Sequence, residues 1–181
     1  MTLNKVYISE EKFVSLNEPI DISIPLNPKE GPLAFHIPAP RFEPIRVGNF
    51  IGSVALGGSA NCENLMLNAH GNGTHTECLG HISKERITIN QCLKKFHFLG
   101  LLLSVNPKKI ANGDYLIDEQ IVDLTQIHEG TEALIIRTLP NSNNKLTANY
   151  SGNNPCYFDP KLTAAIRLKG IKHLIIDLPS V

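Results

Sequence analysis

Apolar and polar residues alternate in the segment PIDISIPL, near the start of the chain. Ile20, Ile22 and Ile24 fall on one side of an extended backbone. Asp21 and Ser23 fall on the other side. Alternation with a period of two is typical of a strand that buries one face. The pattern therefore predicts a half-buried strand over residues 19–26.

Three further segments in the first two thirds of the chain carry patterns that point to strands. Residues 47–61 hold four glycines that fit neither a phosphate loop nor a dinucleotide-binding turn, which favours strands with bulges or turns. Residues 64–70, NLMLNAH, alternate and predict another strand. Residues 96–105, FHFLGLLLSV, form a continuous apolar run that is typical of a strand buried on both faces. The proline-dense residues 27–44 predict an ordered loop or edge.

The last third predicts a strand, a helix and a strand. Residues 132–139 and 171–178 are apolar and strand-like, and between them lies DPKLTAAIRLKG. There Asp159 is a good N-cap, Pro160 suits the first helical position, and Gly170 suits the position just past the helix. Such a unit implies a right-handed crossover between parallel strands. The sequence therefore predicts an α/β protein whose first half is rich in strands.

The segments before and inside this unit are less regular. Residues 118–128, DEQIVDLTQIH, predict a short helix. Residues 140–155 are rich in asparagine and predict a loop long enough to act as a lid or a partner contact.

Length and composition narrow the class of protein. The 181 residues fit a single domain over 1–181 and are enough to bury a core. Lys plus Arg and Asp plus Glu are both 17, and no basic cluster suggests a nucleic-acid partner. The longest apolar run is too short for a membrane span. The chain starts without a secretion-type segment and its four cysteines show no paired spacing, so we expect reduced thiols and a cytoplasmic location.

Candidate chemistry is concentrated in residues 68–81, NAHGNGTHTECLGH. His75 and Glu77 are two residues apart, so on a strand they share one face and form two ligands of a metal site. His81 can return to that side after a turn at Gly80. His70 is five residues before His75 and needs a bulge, for which the neighbouring glycines are suited. The cluster predicts a metal site that keeps an open position for water and acts on a small-molecule substrate.

Other interpretations of these residues stay open at this point. Cys78 and His81 could form a thiol nucleophile and its base, or Cys78 could be a soft metal ligand. The histidines could also be structural residues that bond to the backbone. Asp21 could accept a hydrogen bond from a ligand histidine, although an exposed position on a strand suits it slightly better.

The segment GTHTECLGH resembles the signature of the metal-dependent cyclase family, which includes bacterial kynurenine formamidases. That signature reads H-x-G-T-H-x-D-x-P-x-H, and residues 73–75 and His81 match it in register. DISIPL resembles the family's early D-L-S-x-P-L segment, and GIKHLIIDLPSV resembles its later strand ending in D-x-x-S-V. These three anchors cover most of the chain.

The chain departs from that signature at several positions. The family's first histidine falls on Gly71, whereas the histidine here is His70. Glu77 replaces the family's aspartate, and Leu79 replaces its proline. The family's usual tryptophan has no counterpart, because the chain contains no Trp. The substrate pocket is therefore expected to differ from that of a typical kynurenine formamidase.

The resemblance implies a swivelling β/β/α fold, a homodimer or homotetramer, and hydrolysis of an amide, formamide or cyclic carbonyl compound. It implies zinc or manganese, which His70, His75 and Glu77 would hold, with His81 transferring protons; an ordinary imidazole pKa of about 6.5 suits that task. The alternative is a metal- or small-molecule-binding protein of the same fold without catalysis. Related proteins continue past the D-x-x-S-V segment with a further histidine and glutamate, so we expect residues 1–181 to be the N-terminal part of a longer protein.

Overall fold

The computed structural model describes residues 5–181. In that range the strands are β1 Lys5–Tyr7, β2 Phe13–Ser15, β3 Arg41–Pro44, β4 Arg46–Val47, β5 Phe50–Ile51, β6 Glu63–Met66, β7 Gly100–Val105, β8 Lys108–Lys109, β9 Tyr115–Ile117, β10 Ala133–Thr138, β11 Tyr157–Phe158 and β12 His173–Ile176. The α-helices are α1 Ala69–Asn72, α2 Ile89–Cys92 and α3 Pro160–Leu168. Single 3-10 turns occupy Val54–Leu56, Leu79–His81, Leu124–Gln126 and Asn143–Leu146. Every helix among the described residues falls short of the length and apolar character that a membrane span requires.

The main core lies on one face of a parallel sheet in the order β12-β10-β7. Leu134 and Ile136 of the central strand β10 are almost fully buried, and Leu162 and Ile166 of α3 pack into the same cluster. The strands predicted over 132–139 and 171–178 are confirmed, as is their parallel pairing. This part of the fold forms where apolar runs are long enough to bury one face of both the strands and the helix.

The helix predicted within residues 159–170 is confirmed together with its end signals. The Asp159 side chain accepts a hydrogen bond from the Lys161 backbone N–H at 2.8 Å. Pro160 occupies the start of α3, and Gly170 has a φ of 81° just beyond its end. Local capping chemistry therefore fixes both ends of α3.

The strand predicted over 96–105 is only partly correct. Residues 100–105 form β7, but residues 96–99 lie outside it. Leu103 and Val105 are buried, whereas the side chain of Leu102 is 51% exposed. The strand is buried on one face rather than two, because α3 and the core cover only that face of the sheet.

A second sheet, in the order β11-β9-β8, joins the same core through Ile117 and Phe158. Its β11 runs parallel to β9 and its β8 runs antiparallel. The chain is thus a mixed α/β structure with several small sheets and few helices. The first half contributes three antiparallel pairs, which are β1-β2, β3-β6 and β4-β5.

The strand predicted over residues 19–26 is wrong. This segment forms no strand, and Ile20 and Ile22 are 87% and 67% exposed. The Asp21 carboxylate instead accepts hydrogen bonds from the Ser23 N–H and hydroxyl at 2.8 and 2.7 Å, which makes a local turn. An aspartate side chain competes with the carbonyl groups of a neighbouring strand for backbone N–H donors. It prevails where no partner strand is present.

The short helix predicted over residues 118–128 is also wrong. Only a 3-10 turn at Leu124–Gln126 forms there. The Asp118 side chain accepts from the Gln120 N–H at 3.1 Å, and Asp123 accepts from the Thr125 N–H at 3.0 Å. Two aspartates that bond the backbone two residues ahead favour successive turns over a continuous helix. The loop predicted over residues 140–155 is confirmed, with one 3-10 turn inside it.

Candidate metal site

His70 is positioned by a single helical turn and not by a strand with a bulge. The strand predicted over 64–70 ends at Met66, and α1 carries His70. The Asn68 side chain caps α1 by accepting from the Gly71 N–H at 3.2 Å. Asn72, which is 1% exposed, accepts from the Asn68 N–H at 2.7 Å and donates to the Pro38 carbonyl at 2.9 Å. The two asparagines therefore hold the turn in place.

His75 and Glu77 lie on an extended segment that has no partner strand. The segment starts at Gly73, whose φ of 155° suits glycine, and the Thr74 hydroxyl accepts from the Ile24 N–H at 2.9 Å. His75 Nδ1 lies 2.9 Å from the Gly73 carbonyl oxygen. A carbonyl can only accept, so Nδ1 carries the proton and Nε2 is left with its lone pair for a metal.

The structure brings the predicted ligands together. One nitrogen each from His70 and His75 and one oxygen from Glu77 all lie within 4.8 Å of one another. A tetrahedral ion with bonds of about 2.1 Å would need its ligand atoms about 3.4 Å apart, so small side-chain rotations close the set. Two imidazoles and a carboxylate form a donor set that zinc accepts in catalytic sites. The residues present therefore fit a divalent ion.

His81 joins this cluster from the 3-10 turn at its other side. Glu77 Oε2 lies 3.2 Å from His70 Nδ1 and 3.7 Å from His81 Nδ1. The His70 ring centre is 4.1 Å from that of His81 and 4.9 Å from that of His75. All four predicted site residues thus meet, with the Glu77 carboxylate between two imidazoles.

The position of the first histidine has a steric cause. A Cβ added at Gly71 would lie 2.7 Å from Ile37 Cβ and 2.9 Å from Ile37 Cγ1. The Gly71 carbonyl also accepts a hydrogen bond from the Ala34 N–H at 3.1 Å. Position 71 faces a packed segment and has no room for a side chain. The imidazole comes from position 70, which faces the cluster.

The cluster lines an open depression of about 350 Å³, with Cys78 and Ile89 at its wall. Its volume is in the range of small-molecule sites. Cys78 Sγ donates a hydrogen bond to the Ile87 carbonyl at 3.6 Å and not to His81. This contact does not favour the thiol-nucleophile interpretation.

Asp21 is not placed as a partner of a ligand histidine. The Asp21 carboxylate accepts hydrogen bonds from Ser23 instead. These bonds lower the pKa of the Asp21 carboxyl, and the bond from the Ser23 hydroxyl has the largest effect. The sequence analysis did not single out Asn68 and Asn72, which hold the backbone of the site. The sequence signal for these two asparagines was their position on each side of AHG, since asparagine is common at the start of a capped helical turn.

Similarity of the chain to known proteins is found at the level of a family. No curated protein and no solved structure matches the chain. The family model named Cyclase matches residues 20–181, which include the whole candidate site. Membership of this family indicates a hydrolase- or cyclase-like function. Because the match covers most of its length, the chain belongs to the Cyclase family.

Proposed function

We propose that the chain is a metal-dependent hydrolase that acts on an amide, a formamide or a cyclic carbonyl compound. The observation that carries the proposal is the meeting of His70, His75 and Glu77 within 4.8 Å, with His81 beside them. Family membership supports an enzyme, and the open depression leaves space for a small-molecule substrate.

Zinc or manganese is the proposed ion. Imidazole suits zinc, and a carboxylate with water suits manganese, so this mixed donor set fits either. Three protein ligands leave a position for water or substrate, as catalytic sites require. When bound, such an ion supplies a Lewis acid that polarises a carbonyl and acidifies water.

The chain's own residues then divide the remaining work. One carboxylate oxygen of Glu77 lies near the Nδ1 atoms of both His70 and His81, at 3.2 and 3.7 Å. The Gly73 carbonyl fixes the tautomer of His75. His81 accepts a proton from the attacking water as the new C–O bond forms, and it returns that proton to the leaving nitrogen or oxygen as the scissile bond breaks. The 48% exposure of the His81 side chain lets it exchange protons with solvent between turnovers.

The wider proposal follows the family. It includes a swivelling β/β/α arrangement, assembly as a homodimer or homotetramer, and a cytoplasmic location. The substrate pocket in this proposal differs from that of a typical kynurenine formamidase, because the chain has no tryptophan.

A non-catalytic metal-binding protein is the second candidate. The contact of His81 with Glu77, at 3.7 Å, favours it, because a small rotation would let His81 serve as a fourth ligand. Four protein ligands are typical of closed structural sites. In that case the chain would bind metal without turnover.

Elemental analysis and a hydrolysis assay on the same purified protein test the proposal. Wild type should carry zinc or manganese and hydrolyse at least one compound in a panel of formamides, lactones and cyclic imides. His128, which is exposed and outside the cluster, gives the matched control His128→Ala, which should keep both properties. Bound metal without turnover on the panel would favour the non-catalytic candidate. Absence of metal after loading with either ion would overturn both.

A further inference from the structure

A lysine outside the metal cluster occupies a nearly closed polar site at the end of the parallel sheet. Lys145 Nζ donates to the Thr138 carbonyl at 2.7 Å, to the Thr138 hydroxyl at 2.8 Å and to Asp177 Oδ2 at 2.6 Å. These bonds use all three ammonium donors. The side chains of Lys145 and Asp177 are only 20% and 27% exposed. A pair this well bonded has a defined geometry and is costly to break from one side.

The pair joins a loop to the sheet. Thr138 is the last residue of β10, and Asp177 directly follows β12, so both lie at the carboxyl ends of parallel strands. The Asp177 carboxylate also accepts from the Thr138 N–H at 3.0 Å. Lys145 belongs to the asparagine-rich loop, residues 140–155. Its ammonium therefore holds this loop against the strand ends.

The same loop is hydrogen-bonded to residues 33–36. That segment leads into the residues that pack against α1, the helical turn that carries His70. The Leu33 N–H donates to the Ala148 carbonyl at 2.9 Å, and the Tyr150 N–H donates to the Leu33 carbonyl at 2.7 Å. The His36 N–H donates to the Ser151 hydroxyl at 2.9 Å. Three hydrogen bonds thus connect residues 148–151 to residues 33–36.

Residues 34–37 form a strained turn that depends on such support. Phe35 and His36 have φ values of 58° and 57°, and the Ile37 N–H donates to the Ala34 carbonyl at 3.1 Å. Side-chain-bearing residues in this left-handed region are strained, and they persist only where their surroundings hold them. The bond from His36 to Ser151 is part of that support.

This turn contacts α1 directly next to a candidate ligand. The Ala34 N–H donates to the Gly71 carbonyl at 3.1 Å, and Ile37 fills the space at Gly71. Gly71 is adjacent to His70. A continuous path of hydrogen bonds and packing therefore runs from Lys145 through the loop and the turn to the backbone that carries His70.

We propose that Lys145 is a positioning residue for the metal site, acting through residues 148–151 and 33–37 on His70. The proposal rests on the metal site described under the proposed function. Loss of the Lys145 ammonium releases the loop, relaxes the strained turn and shifts His70, while leaving all ligands in the chain. The measured consequence is weaker metal binding with an altered ligand geometry.

Cobalt(II) titration of the full 181-residue chain tests this role, because its visible absorption reports affinity and ligand geometry together. Lys145→Met should bind Co(II) up to about tenfold more weakly than wild type, with changed visible bands; tenfold is the lower end of the range for groups bonded directly to a ligand, and Lys145 acts from further away. Lys145→Arg, which keeps the charge and the donors, should restore most of both. Lys108→Met removes another half-buried ion pair, with Asp118, and should lower stability while leaving the cobalt affinity and spectrum unchanged.

The outcomes separate the two proposals. Wild type that binds no Co(II) overturns the metal site itself and the positioning role with it. Wild-type binding with an unchanged Lys145→Met affinity and spectrum overturns the positioning role alone, as does an equal loss in Lys108→Met. If Lys145→Met does not fold, Ser151→Ala removes a single link in the path and should weaken Co(II) binding in the same direction. An unchanged affinity in Ser151→Ala would then overturn the proposal.

Discussion

Gly71→Ala is the substitution for which the structure gives the sharpest expectation. Gly71 lies in α1 and its φ is not positive, so the backbone accepts alanine. Helix propensity alone would stabilise the variant by up to about 1 kcal/mol. Any loss of stability must therefore come from packing. The added Cβ would lie 2.7, 2.9 and 3.0 Å from three carbons of Ile37.

Those distances set the size of the effect. Carbon atoms pack best at about 3.5–4.0 Å, so either Ile37 or α1 must move by about 1 Å. Overpacking of this kind costs about 1–3 kcal/mol. Set against the gain in propensity, the free energy of unfolding should fall by about 1 kcal/mol. Since α1 also carries His70, the affinity for metal should fall in the same variant.

Urea unfolding and Co(II) titration measure both consequences, and Ile37→Gly provides the control background. In Ile37→Gly all three of these carbons are removed, so the clash is absent and Gly71→Ala should become neutral or stabilising. The reasoning is refuted if Gly71→Ala stabilises the wild-type chain, or if it costs the same in both backgrounds. Either result would mean that Ile37 does not exclude a side chain at position 71.

Three further predictions concern His75, His81 and the two ion pairs of Glu132. His75→Ala should lose most bound metal by elemental analysis while circular dichroism stays close to wild type; an unchanged metal content would remove His75 from the ligand set. His81→Ala should keep the metal and lose turnover, whereas loss of metal would make His81 a ligand. Hydrogen bonds from Lys95 and Lys172 lower the pKa of Glu132 from 4.5 to about 2, so its contribution to stability is present above pH 4.5 and is lost as the pH falls towards 2. Glu132→Gln should therefore reduce stability at pH 7 and flatten its acid dependence, and a parallel pH profile in both proteins would contradict this.

The C-terminal part of the fold could be predicted because its signals are local. Asp159, Pro160 and Gly170 mark the ends of α3 within the segment itself. The apolar strands β10 and β12 lie on either side of that helix in the sequence and pair with each other. Their pairing could therefore be predicted from this part of the chain alone. The helix expected over residues 118–128 failed for an equally local reason that periodicity overlooks. Asp118 and Asp123 bond the backbone ahead of them and replace helical hydrogen bonds.

The first half could not be predicted in this way because its apolar patterns require a second surface. The alternation at Ile20 and Ile22 is regular, yet both side chains remain exposed. The chain's accessible surface is 13448 Å², whereas a monomeric globular protein of 19.9 kDa exposes about 8,700 Å². Alternation states which face of a segment can be buried, but it does not supply the partner that buries it.

At the metal site, residue identity was predictable but backbone geometry was not. The sequence was enough to predict that His70, His75, Glu77 and His81 meet. These residues are close in the sequence, and a short segment of chain limits how far apart they can lie. On a strand, a shift of one residue turns a side chain to the opposite face, so a histidine at position 70 demanded a bulge. In a helix the same shift rotates the side chain by only about 100°. Because Ile37 occupies the space at position 71, the α1 turn brings an imidazole to the cluster from position 70, one residue before the family's usual place.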